Sequence, residues 1–300
     1  MTEKSTSFAL IYAAATIAVV LWGASPVGTK FALAEVSPLD VMTIRTTAGG
    51  LGGLALAVIL KIRPPRHRRD VFQVALAGAC GMIAFPTVFS LGMQTTSASH
   101  GAMILAFMPV TTSAIAFAVD WEMPPIPWRL GCVLAVIGEA ILVFKWEGAA
   151  AIGEASFKGD ILVLLSTFFA SAGYVLGGRL QKRGYPARGI TFWGAAISGA
   201  VLVPLSARLV VSVDATLWHP ATWVALGYLA FGVTILGYIC WYWALGQGGV
   251  SRISLMQFLQ PISGMALSLA FFDDRASLQL ILAAGLIFAG TVISSRGATR

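Results

Sequence analysis

The chain has 300 residues, of which 57% are hydrophobic and 11% are charged. A soluble domain of this length does not use so apolar a composition. The formal net charge is +7, but the basic residues lie in short segments between apolar runs, so the charge favours orientation in a membrane over recognition of nucleic-acid phosphates.

About ten apolar runs follow one another along the chain, and residues 71–119 contain no Asp, Glu, Lys or Arg. A helix rises about 1.5 Å per residue and needs roughly 20 apolar residues to cross the hydrocarbon layer, so this stretch is long enough for two crossings. The runs lack the alternation of barrel strands. We therefore predict an all-α, polytopic membrane protein with ten transmembrane helices.

Proline residues separate many of the runs, as at Pro38, Pro186 and Pro220. The first run is longer than the apolar region of a signal peptide and lacks a clear cleavage site, so we expect it to remain as a span. The predicted spans are 8–31, 39–60, 71–92, 102–119, 128–146, 160–181, 188–208, 222–245, 253–272 and 277–294.

The basic residues predict the orientation. With the amino terminus inside, most Lys and Arg residues collect in the inner loops, among them Arg63, Arg66, Arg183 and Arg188. Short loops rich in Lys and Arg stay on the cytoplasmic side. We therefore expect a multi-pass protein of the inner (plasma) membrane with both termini in the cytoplasm.

The two halves of the chain repeat each other. Pro109 and Glu122 have the same spacing as Pro261 and Asp274, at an offset of 152 residues. Further pairs at a constant offset are Gly138 with Gly290 (152), Gly28 with Gly177 (149) and Lys30 with Arg179 (149). Chance coincidences in a helical bundle are the alternative explanation. Five spans per half is an odd number, so we predict two inverted repeats, 1–147 and 159–297, around a central cavity.

An ordered series of motifs runs through the first half, and the second half repeats it weakly through Ala244-Leu245, Pro261, Asp274 and Gly285–Gly290. The series comprises Trp22-Gly23-Ala24-Ser25-Pro26-Val27-Gly28-Thr29-Lys30, Pro38-Leu39, Arg45, Ser97-Ala98-Ser99, Pro109, Glu122 and the Gly131–Gly138 run. It resembles the EamA-like branch of the drug/metabolite transporter (DMT) superfamily, and within it the YddG type of amino-acid exporter.

This resemblance implies a transporter cavity lined by the first, third, fourth, sixth, eighth and ninth helices, with the fifth and tenth more peripheral. The sequence departs from the pattern in its second half. Ser171 stands where the repeat would place the counterpart of Trp22, and Asp274 replaces the more usual Glu. The two halves are therefore expected to contribute unequal chemistry to a central site.

Aromatic residues are the first candidates for substrate contact. Tyr238 and Trp241 share a helix face with Tyr242 and Leu245. Trp22 and Tyr174 lie deep within their spans, where an indole N–H or a phenol O–H needs a partner that a polar cavity would supply. Phe85 precedes Pro86, where a kink could open the cavity wall. Ordinary packing between helices is the alternative for each of these residues.

Amides and methionines form a second candidate group. Gln257 and Gln260 lie three residues apart on one helix face, next to Pro261, which frees a backbone carbonyl. Met103 precedes Pro109 in another span and would give the cavity an adaptable wall. These groups suit a zwitterion or a polar metabolite. Hydrogen bonding between helices is the alternative for the two amides.

Three ionisable residues lie within spans or at their edges, where a charge needs a partner or a function. Lys30 and Arg45 could attract a substrate carboxylate, although ion pairs with the nearby Glu35 and Asp40 are the alternative we favour. Glu139 lies near the middle of its span and could carry a proton. It could instead stay neutral and bond to a neighbour, or lie at a homodimer contact.

The motifs favour export of small metabolites, amino acids including aromatic ones among them, by a secondary active or facilitative transporter. Multidrug efflux of aromatic cations is the alternative within the same class. The sequence has no nucleotide-binding G-x-x-x-x-G-K-[ST] motif, no catalytic motif and no metal or cofactor motif, so we predict no enzyme activity and no cofactor. His100 and His219 lack a partner cluster, and we expect both to be solvated.

Overall fold

The computed structural model describes residues 8–120, 126–143, 156–248, 256, 259–271 and 278–297. Within these residues the chain is helical and contains no strand, which confirms the predicted all-α class. The α-helices are α1 (Phe8–Gly23), α2 (Ser25–Leu33), α3 (Pro38–Ile59), α4 (Arg68–Gly78), α5 (Phe85–Met93), α6 (Ala98–Leu105), α7 (Met108–Asp120), α8 (Ile126–Val143), α9 (Phe157–Lys182), α10 (Ala187–Val201), α11 (Val203–Ser212), α12 (Pro220–Gly227), α13 (Gly237–Gly248), α14 (Leu259–Phe271) and α15 (Leu278–Gly297).

Five helical stretches of the described chain are long and apolar enough to cross a membrane, and the total is seven if each of two bent pairs counts as one span. The five stretches are Phe8–Leu33, Pro38–Ile59, Arg68–Met93, Phe157–Gln181 and Pro220–Trp241. The bent pairs are α6 with α7 and α10 with α11. Multiple membrane crossings are therefore supported, and the total of ten remains a prediction.

Proline residues lie at breaks within two of the predicted spans. Pro26 lies in the first turn of α2, directly after a turn at Ala24 that separates α1 from α2. Pro204 lies in the first turn of α11, and α10 and α11 are bent by 52° relative to each other. Proline lacks the N–H group that would continue the preceding helix, so each of these helices begins again at its proline.

Two π-helical segments occupy equivalent positions in the two halves. The first, Ala79–Ala84, joins α4 to α5, and the second, Tyr228–Leu236, joins α12 to α13. Their first residues differ by 149, the offset that relates Gly28 to Gly177. Segments of this type are rare, and within α-helices they frequently mark functional sites and bends.

Equivalent helices of the two halves contact each other directly. In the crossing of α3 with α10, a Cβ atom on Gly50 would lie 2.8 Å from Cα of Gly199, a residue 149 positions later. In the same crossing, a Cβ atom on Gly53 would lie 3.0 Å from Cβ of Ala195 and from the Phe192 carbonyl. The partner number falls as the residue number rises, so α3 and α10 run antiparallel.

The crossing of α8 with α15 shows the same relation. Gly138 packs against Ile287, and Gly290, at an offset of 152 from Gly138, packs against the Gly131 carbonyl. These helices are also antiparallel, and α8 with α15 forms the most extensive helix pair of the described chain. Small residues let the two backbones approach closely, as they do in many membrane helix pairs.

The bundle has two ends that differ in charge. Residues 60–69 and 183–188 meet at one end, where Tyr185 donates a hydrogen bond to the Arg63 carbonyl and Trp193 donates one to the Ile62 carbonyl. We name this end the basic face. Residues 33–40, 93–98, 156–160 and 213–220 form the other end, the distal face, where the Ser156 N–H donates to the Thr95 carbonyl.

Candidate substrate chamber

A cavity of about 50 Å³, which we name the central chamber, lies between helices of both halves. Its aromatic wall is formed by Trp22, Phe85, Tyr174 and Tyr238, and its polar wall by Ser25, Arg45, Thr46, Thr234 and Gln260. The remaining lining residues are Gly81, Met82, Pro86, Leu105, Met108, Ala195 and Val233. The chamber therefore combines an apolar surface with one cation and several hydroxyl and amide groups.

The expected set of lining helices was incomplete. The resemblance implied no contribution from the second and seventh spans, but Arg45 and Thr46 of α3 and Ala195 of α10 line the chamber. The physical reason is the close crossing of these two helices at Gly50 and Gly199, which brings both backbones to the centre of the bundle.

Trp22 is held rigidly in the chamber wall. Its indole ring lies 5.2 Å from the Tyr238 ring in an edge-on arrangement and 5.4 Å from the Trp241 ring. Its Nε1–H donates a 3.1 Å hydrogen bond to the Val233 carbonyl of the second π-segment. A buried indole N–H needs such a partner. Here a backbone carbonyl in π-helical geometry accepts the bond.

The phenol groups of the chamber are also engaged. Tyr174 and Tyr238 share a side-chain hydrogen bond, which joins α9 to α13 across the chamber. Tyr228 donates a hydrogen bond to the Leu21 carbonyl in α1. The second π-segment reaches α1 of the first half through Tyr228, and α13 reaches it through the contact of Tyr238 with Trp22. The chamber wall therefore belongs to both halves.

Arg45 is 8% exposed and points into the chamber. Its Nε–H lies 3.5 Å from Thr234 Oγ1, at the long limit of a hydrogen bond. The favoured expectation of ion pairs with Glu35 and Asp40 is wrong for Arg45. Glu35 Oε2 accepts hydrogen bonds from His219 N and Thr222 Oγ1, and Asp40 bonds to Ser37, because both carboxylates lie at the distal face.

Several candidate residues lie away from the chamber lining. Trp241 stands behind Trp22 in the hydrophobic core, with 7% of its surface exposed. Met103 is buried against Phe89 and Met93, because the break between α6 and α7 brings Leu105 and Met108 to the chamber instead. Lys30 lies in the last turn of α2 and does not line the chamber.

Of the candidate amides, the structure brings Gln260 to the chamber. Phe85 also reaches it and stacks on Phe89 with their ring centres 5.4 Å apart. Gln257 and the side chains of Glu139 and Tyr242 lie outside the described residues, so their candidate roles remain predictions.

The expectation that His100 is solvated is wrong. His100 is 6% exposed, and its Nδ1 lies 2.9 Å from Oδ2 of Asp160, which is 2% exposed. Thr96 donates a further hydrogen bond to the other oxygen of Asp160. His100 and Asp160 are 60 residues apart and belong to opposite halves, so no sequence motif indicated the pair. His219 is exposed, as expected.

The distal face is closed by hydrogen bonds between the halves. Glu35 Oε2 lies 2.8 Å from the His219 backbone nitrogen and 2.5 Å from the Thr222 hydroxyl. The Thr222 hydroxyl and the His219 N–H hold the pKa of Glu35 below its ordinary value, because both donate to the ionised carboxylate. The His100–Asp160 pair reinforces the same end of the bundle.

The basic face is closed differently. A second small cavity, lined by Ala77, Gly78, Gly177, Ile190 and Thr191 among others, shares Phe85 and Tyr174 with the chamber and extends it toward this face. Beyond it, the side chains of Val74, Leu180 and Ile190 form an apolar cluster. We name this cluster the apolar plug.

A surface basin of about 510 Å³ lies on the outer side of the apolar plug. Lys61, Arg63, Arg66 and Arg188 line it. Burial, together with the nearby Asp70 carboxylate, raises the pKa of Tyr185 to about 12. Tyr185 therefore remains protonated at neutral pH and donates its hydrogen bond across the basin to the Arg63 carbonyl. The basin presents positive charge to an approaching anion.

The described residues contain no group of three or more His, Cys, Asp and Glu side chains that could hold a metal ion. Cys80, Cys132 and Cys240 are free thiols. The chamber thus presents hydrogen-bonding groups, aromatic rings and one guanidinium group, which suit binding of a small organic molecule.

Fold and chamber together define a polytopic helical membrane protein with a cavity at the junction of two similar halves. A sequence profile of the EamA-like transporter family matches the chain twice, over residues 9–144 and 157–296. The chain belongs to the EamA-like transporter family, within the DMT superfamily. This confirms the resemblance on which the expectations above rested.

Individual relatives agree with this assignment. The chain is 23% identical to "Uncharacterized transporter YdeK" of Bacillus subtilis (strain 168), covering 88% of this chain and 90% of the relative. It is 25% identical to "Probable amino-acid metabolite efflux pump" of Escherichia coli (strain K12), covering 94% of each. A solved crystal structure shares the fold, with a TM-score of 0.63 at 17% identity, over 96% of this chain and 97% of that one.

Proposed function

We propose that this transporter exports small metabolites, chiefly amino acids including aromatic ones, across the plasma membrane by alternating access. The observation that carries the proposal is the central chamber, where Trp22, Tyr174 and Tyr238 face the guanidinium group of Arg45. Aromatic rings suit an apolar side chain, and the polar wall suits a charged backbone. The relative named as a probable amino-acid metabolite efflux pump supports the same substrate class.

We infer that the two halves, 1–147 and 159–297, are inverted repeats. The antiparallel crossing of α3 with α10 supports this, because Gly50 and Gly199 are equivalent positions in contact. The two π-segments at the same offset support it as well. An inverted pair of repeats gives a pseudo-two-fold axis in the membrane plane, so that one site opens to either side in turn.

The basic face is the proposed cytoplasmic side, with both termini there. Arg63, Arg66 and Arg188 lie at this face, and such residues remain on the cytoplasmic side of short-looped membrane proteins. A substrate would collect in the surface basin, pass the apolar plug and reach the chamber. It would leave through the distal face once the Glu35 contacts and the His100–Asp160 pair have separated.

The central chamber is too small for an amino acid in the present conformation. A chamber of about 50 Å³ accommodates a few water molecules, since one water needs roughly 10–15 Å³ of such volume. An amino acid therefore requires the halves to move apart. The two π-segments flank the chamber and supply places where their spans can bend. We propose that these segments absorb the movement.

Multidrug efflux of aromatic cations is the competing function, and Arg45 argues against it. Efflux of cations calls for a carboxylate in the chamber, and the described lining residues include none. A buried guanidinium group would repel a cationic ligand, and the low dielectric constant of the site would strengthen the repulsion. The aromatic wall alone suits both classes of substrate.

Counterflow in proteoliposomes tests the proposal. Vesicles would be loaded with unlabelled phenylalanine, tryptophan or alanine, which would exchange for a trace of the labelled amino acid outside. Parallel vesicles would be loaded with a quaternary aromatic amine and tested with the labelled amine outside. We expect labelled aromatic amino acids to accumulate transiently and the amine to show no exchange. Exchange of the amine without exchange of amino acids would overturn the proposal.

A matched pair of variants ties the exchange to the chamber. Phe85→Ala changes a lining residue, whereas Phe288→Ala changes an exposed phenylalanine of α15 outside the lining. We expect the first variant to reduce counterflow and the second to retain it. If counterflow fell equally in both variants at equal amounts of folded protein, the chamber would not be the transport site.

A further inference from the structure

We infer that Arg45 is the carboxylate-binding residue of the central chamber, and that the protein accepts substrates that carry a carboxylate whether or not they carry an ammonium group. This inference rests on the proposed transport function and narrows its substrate class. It predicts that aromatic monocarboxylates, such as N-acylated amino acids, bind the same site as the amino acids themselves.

The first argument is the unbalanced charge of Arg45. A guanidinium group has five N–H donors. Among the described residues, the contact that Arg45 makes is the 3.5 Å approach of its Nε to Thr234. A buried cation without an anion is costly, and in a membrane protein such a residue marks a ligand or ion site. Arg45 lines the chamber, where a ligand can reach its guanidinium group.

The second argument is that two carboxylates of the distal face are engaged with other partners. Glu35 bonds to His219 and Thr222. Asp160 is paired with His100. Both groups belong to the distal face, while Arg45 lies one to two turns into α3 from that end. The counter-charge for Arg45 is therefore left to a molecule that enters the chamber.

The third argument is the geometry of the chamber wall. Arg45 and its neighbour Thr46 lie on one side, with Thr234 beside them. The hydroxyl groups of Thr46 and Thr234 donate to the Met82 and Leu229 carbonyls, so the N–H groups of Arg45 are the donors on this side. A guanidinium group matches a carboxylate through two parallel hydrogen bonds. Trp22 and Phe85 provide apolar ring surfaces in the same chamber. A molecule with a carboxylate at one end and an aromatic ring at the other would contact both walls.

The fourth argument is the asymmetry between the halves. The position 149 residues after Arg45 is Gly194, whose backbone carbonyl packs against Gly78. Packing occupies that position, so the repeat supplies no second cation there. The described lining also offers no carboxylate to an ammonium group. The site therefore favours the anionic end of a ligand.

Competition in counterflow tests the inference. Labelled phenylalanine would be exchanged by the wild-type protein in the presence of N-acetylphenylalanine, phenylalanine amide or phenethylamine. We expect N-acetylphenylalanine to compete, and the two compounds without a carboxylate to require at least about 30-fold higher concentrations. Equal competition by phenylalanine amide would overturn the inference while leaving the transport function intact.

Three variants locate the discrimination at Arg45. Arg45→Gln should lose the preference for carboxylates, and Arg45→Lys should retain it with weaker affinity, because lysine keeps the charge without the planar fork. Arg129→Gln is the matched control, since Arg129 is an exposed residue of α8. Retained preference in Arg45→Gln, with normal elution of the folded protein, would contradict the assignment.

A binding measurement separates failure of the inference from failure of the proposed function. Thermal unfolding of the purified protein in detergent would be recorded with N-acetylphenylalanine and with phenylalanine amide. We expect the carboxylate to raise the unfolding temperature of the wild type and to leave Arg45→Gln unchanged. If neither compound shifts the wild type, the inference is overturned. If the shift occurs without counterflow, the carboxylate site stands and the transport proposal fails.

Discussion

Two crossings of helices at equivalent places in the halves differ sharply in their chemistry. In the first, α1 meets α14, and Gly23 packs against Gly264 beside the indole ring of Trp22. In the second, α9 meets α7, and Ser171 stands at the position equivalent to Trp22. Ser171 Oγ lies 2.7 Å from the Thr111 hydroxyl and 2.9 Å from the Thr112 hydroxyl.

The difference shows how one backbone plan yields a one-sided site. In the first crossing, Trp22 contributes an aromatic ring to the chamber wall. In the second, Ser171 forms hydrogen bonds that link α9 to α7. Arg45 and Gly194, which are equivalent positions, differ in the same way. Arg45 is a cation of the chamber lining, whereas Gly194 packs against Gly78. In the proposed mechanism, the repeated backbone would supply the movement and the divergent side chains would supply substrate recognition.

The largest expected effect comes from breaking the contact that relates the halves. A Cβ atom on Gly50 would lie 2.8 Å from backbone atoms of Ala195 and Gly199, so Gly50→Leu forces α3 and α10 apart. We expect destabilisation above about 3 kcal/mol and little folded protein on size-exclusion chromatography. Gly285→Leu is the control, since a Cβ atom there meets nothing within 4 Å. Normal folding of Gly50→Leu would refute the tight crossing.

Trp22→Ala is the next largest change. It removes the ring contacts with Tyr238 and Trp241 and the hydrogen bond to Val233, so we expect phenylalanine counterflow to fall at least about tenfold. Trp22→Phe retains one ring but loses part of the ring contact and the hydrogen bond, which is worth about 1 kcal/mol. It should show an intermediate rate. Counterflow at the wild-type rate in folded Trp22→Ala would remove Trp22 from the site.

The fold was largely predictable because membrane insertion imposes length and charge constraints on each run. The charge-free stretch of residues 71–119 and the repeated Pro and Gly positions indicated spans and duplication from local sequence alone. The π-segments were not predictable in this way. Residues 79–84 and 228–236 are ordinary apolar sequence, and their widened turns depend on the neighbours against which they pack.

The chamber was predictable in part. The deep positions of Trp22 and Tyr174 indicated a polar cavity, because polar groups in a bilayer need an internal partner. Phe85 and Gln260 were indicated by the prolines that follow them, and Tyr238 by the aromatic face of its helix. The partners of charged groups could not be inferred from spacing. His100 and Asp160 form a pair although they are 60 residues apart. Arg45 contacts Thr234 and forms no ion pair with Glu35 or Asp40, the carboxylates near it in sequence.

Ser171→Ala should have a smaller effect than Trp22→Ala. It removes the hydrogen bonds of Ser171 to Thr111 and Thr112, three residues that are not among the described lining residues of the chamber. Hydrogen bonds between membrane helices contribute about 0.6 kcal/mol on average and at most about 1.7. We expect a slightly lower unfolding temperature, and counterflow within about threefold of the wild type. A tenfold loss of counterflow would contradict the division of roles.

The smallest expected effect is the response of the distal face to acid. The pKa of Glu35 is lowered in the folded protein, so the ionised carboxylate stabilises the fold. This stabilisation is complete above the ordinary carboxyl pKa of about 4.3. It is lost as the pH falls through the lowered value. The unfolding temperature should therefore fall between pH 6 and pH 3, and the fall should be smaller in Glu35→Gln. An identical pH dependence in wild type and variant would dissociate Glu35 from closure of the distal face.

Reversible cross-linking of the distal face tests alternating access most directly. In a protein whose Cys80, Cys132 and Cys240 are replaced by alanine, Glu35→Cys and His219→Cys would be joined by a short, reducible bis-thiosulfonate linker. We predict that cross-linking abolishes phenylalanine counterflow and that reduction of the linker restores it. The linker should have no effect on counterflow in proteins that carry only one of the two cysteines. Full counterflow in the cross-linked protein would show that the substrate does not leave through the distal face.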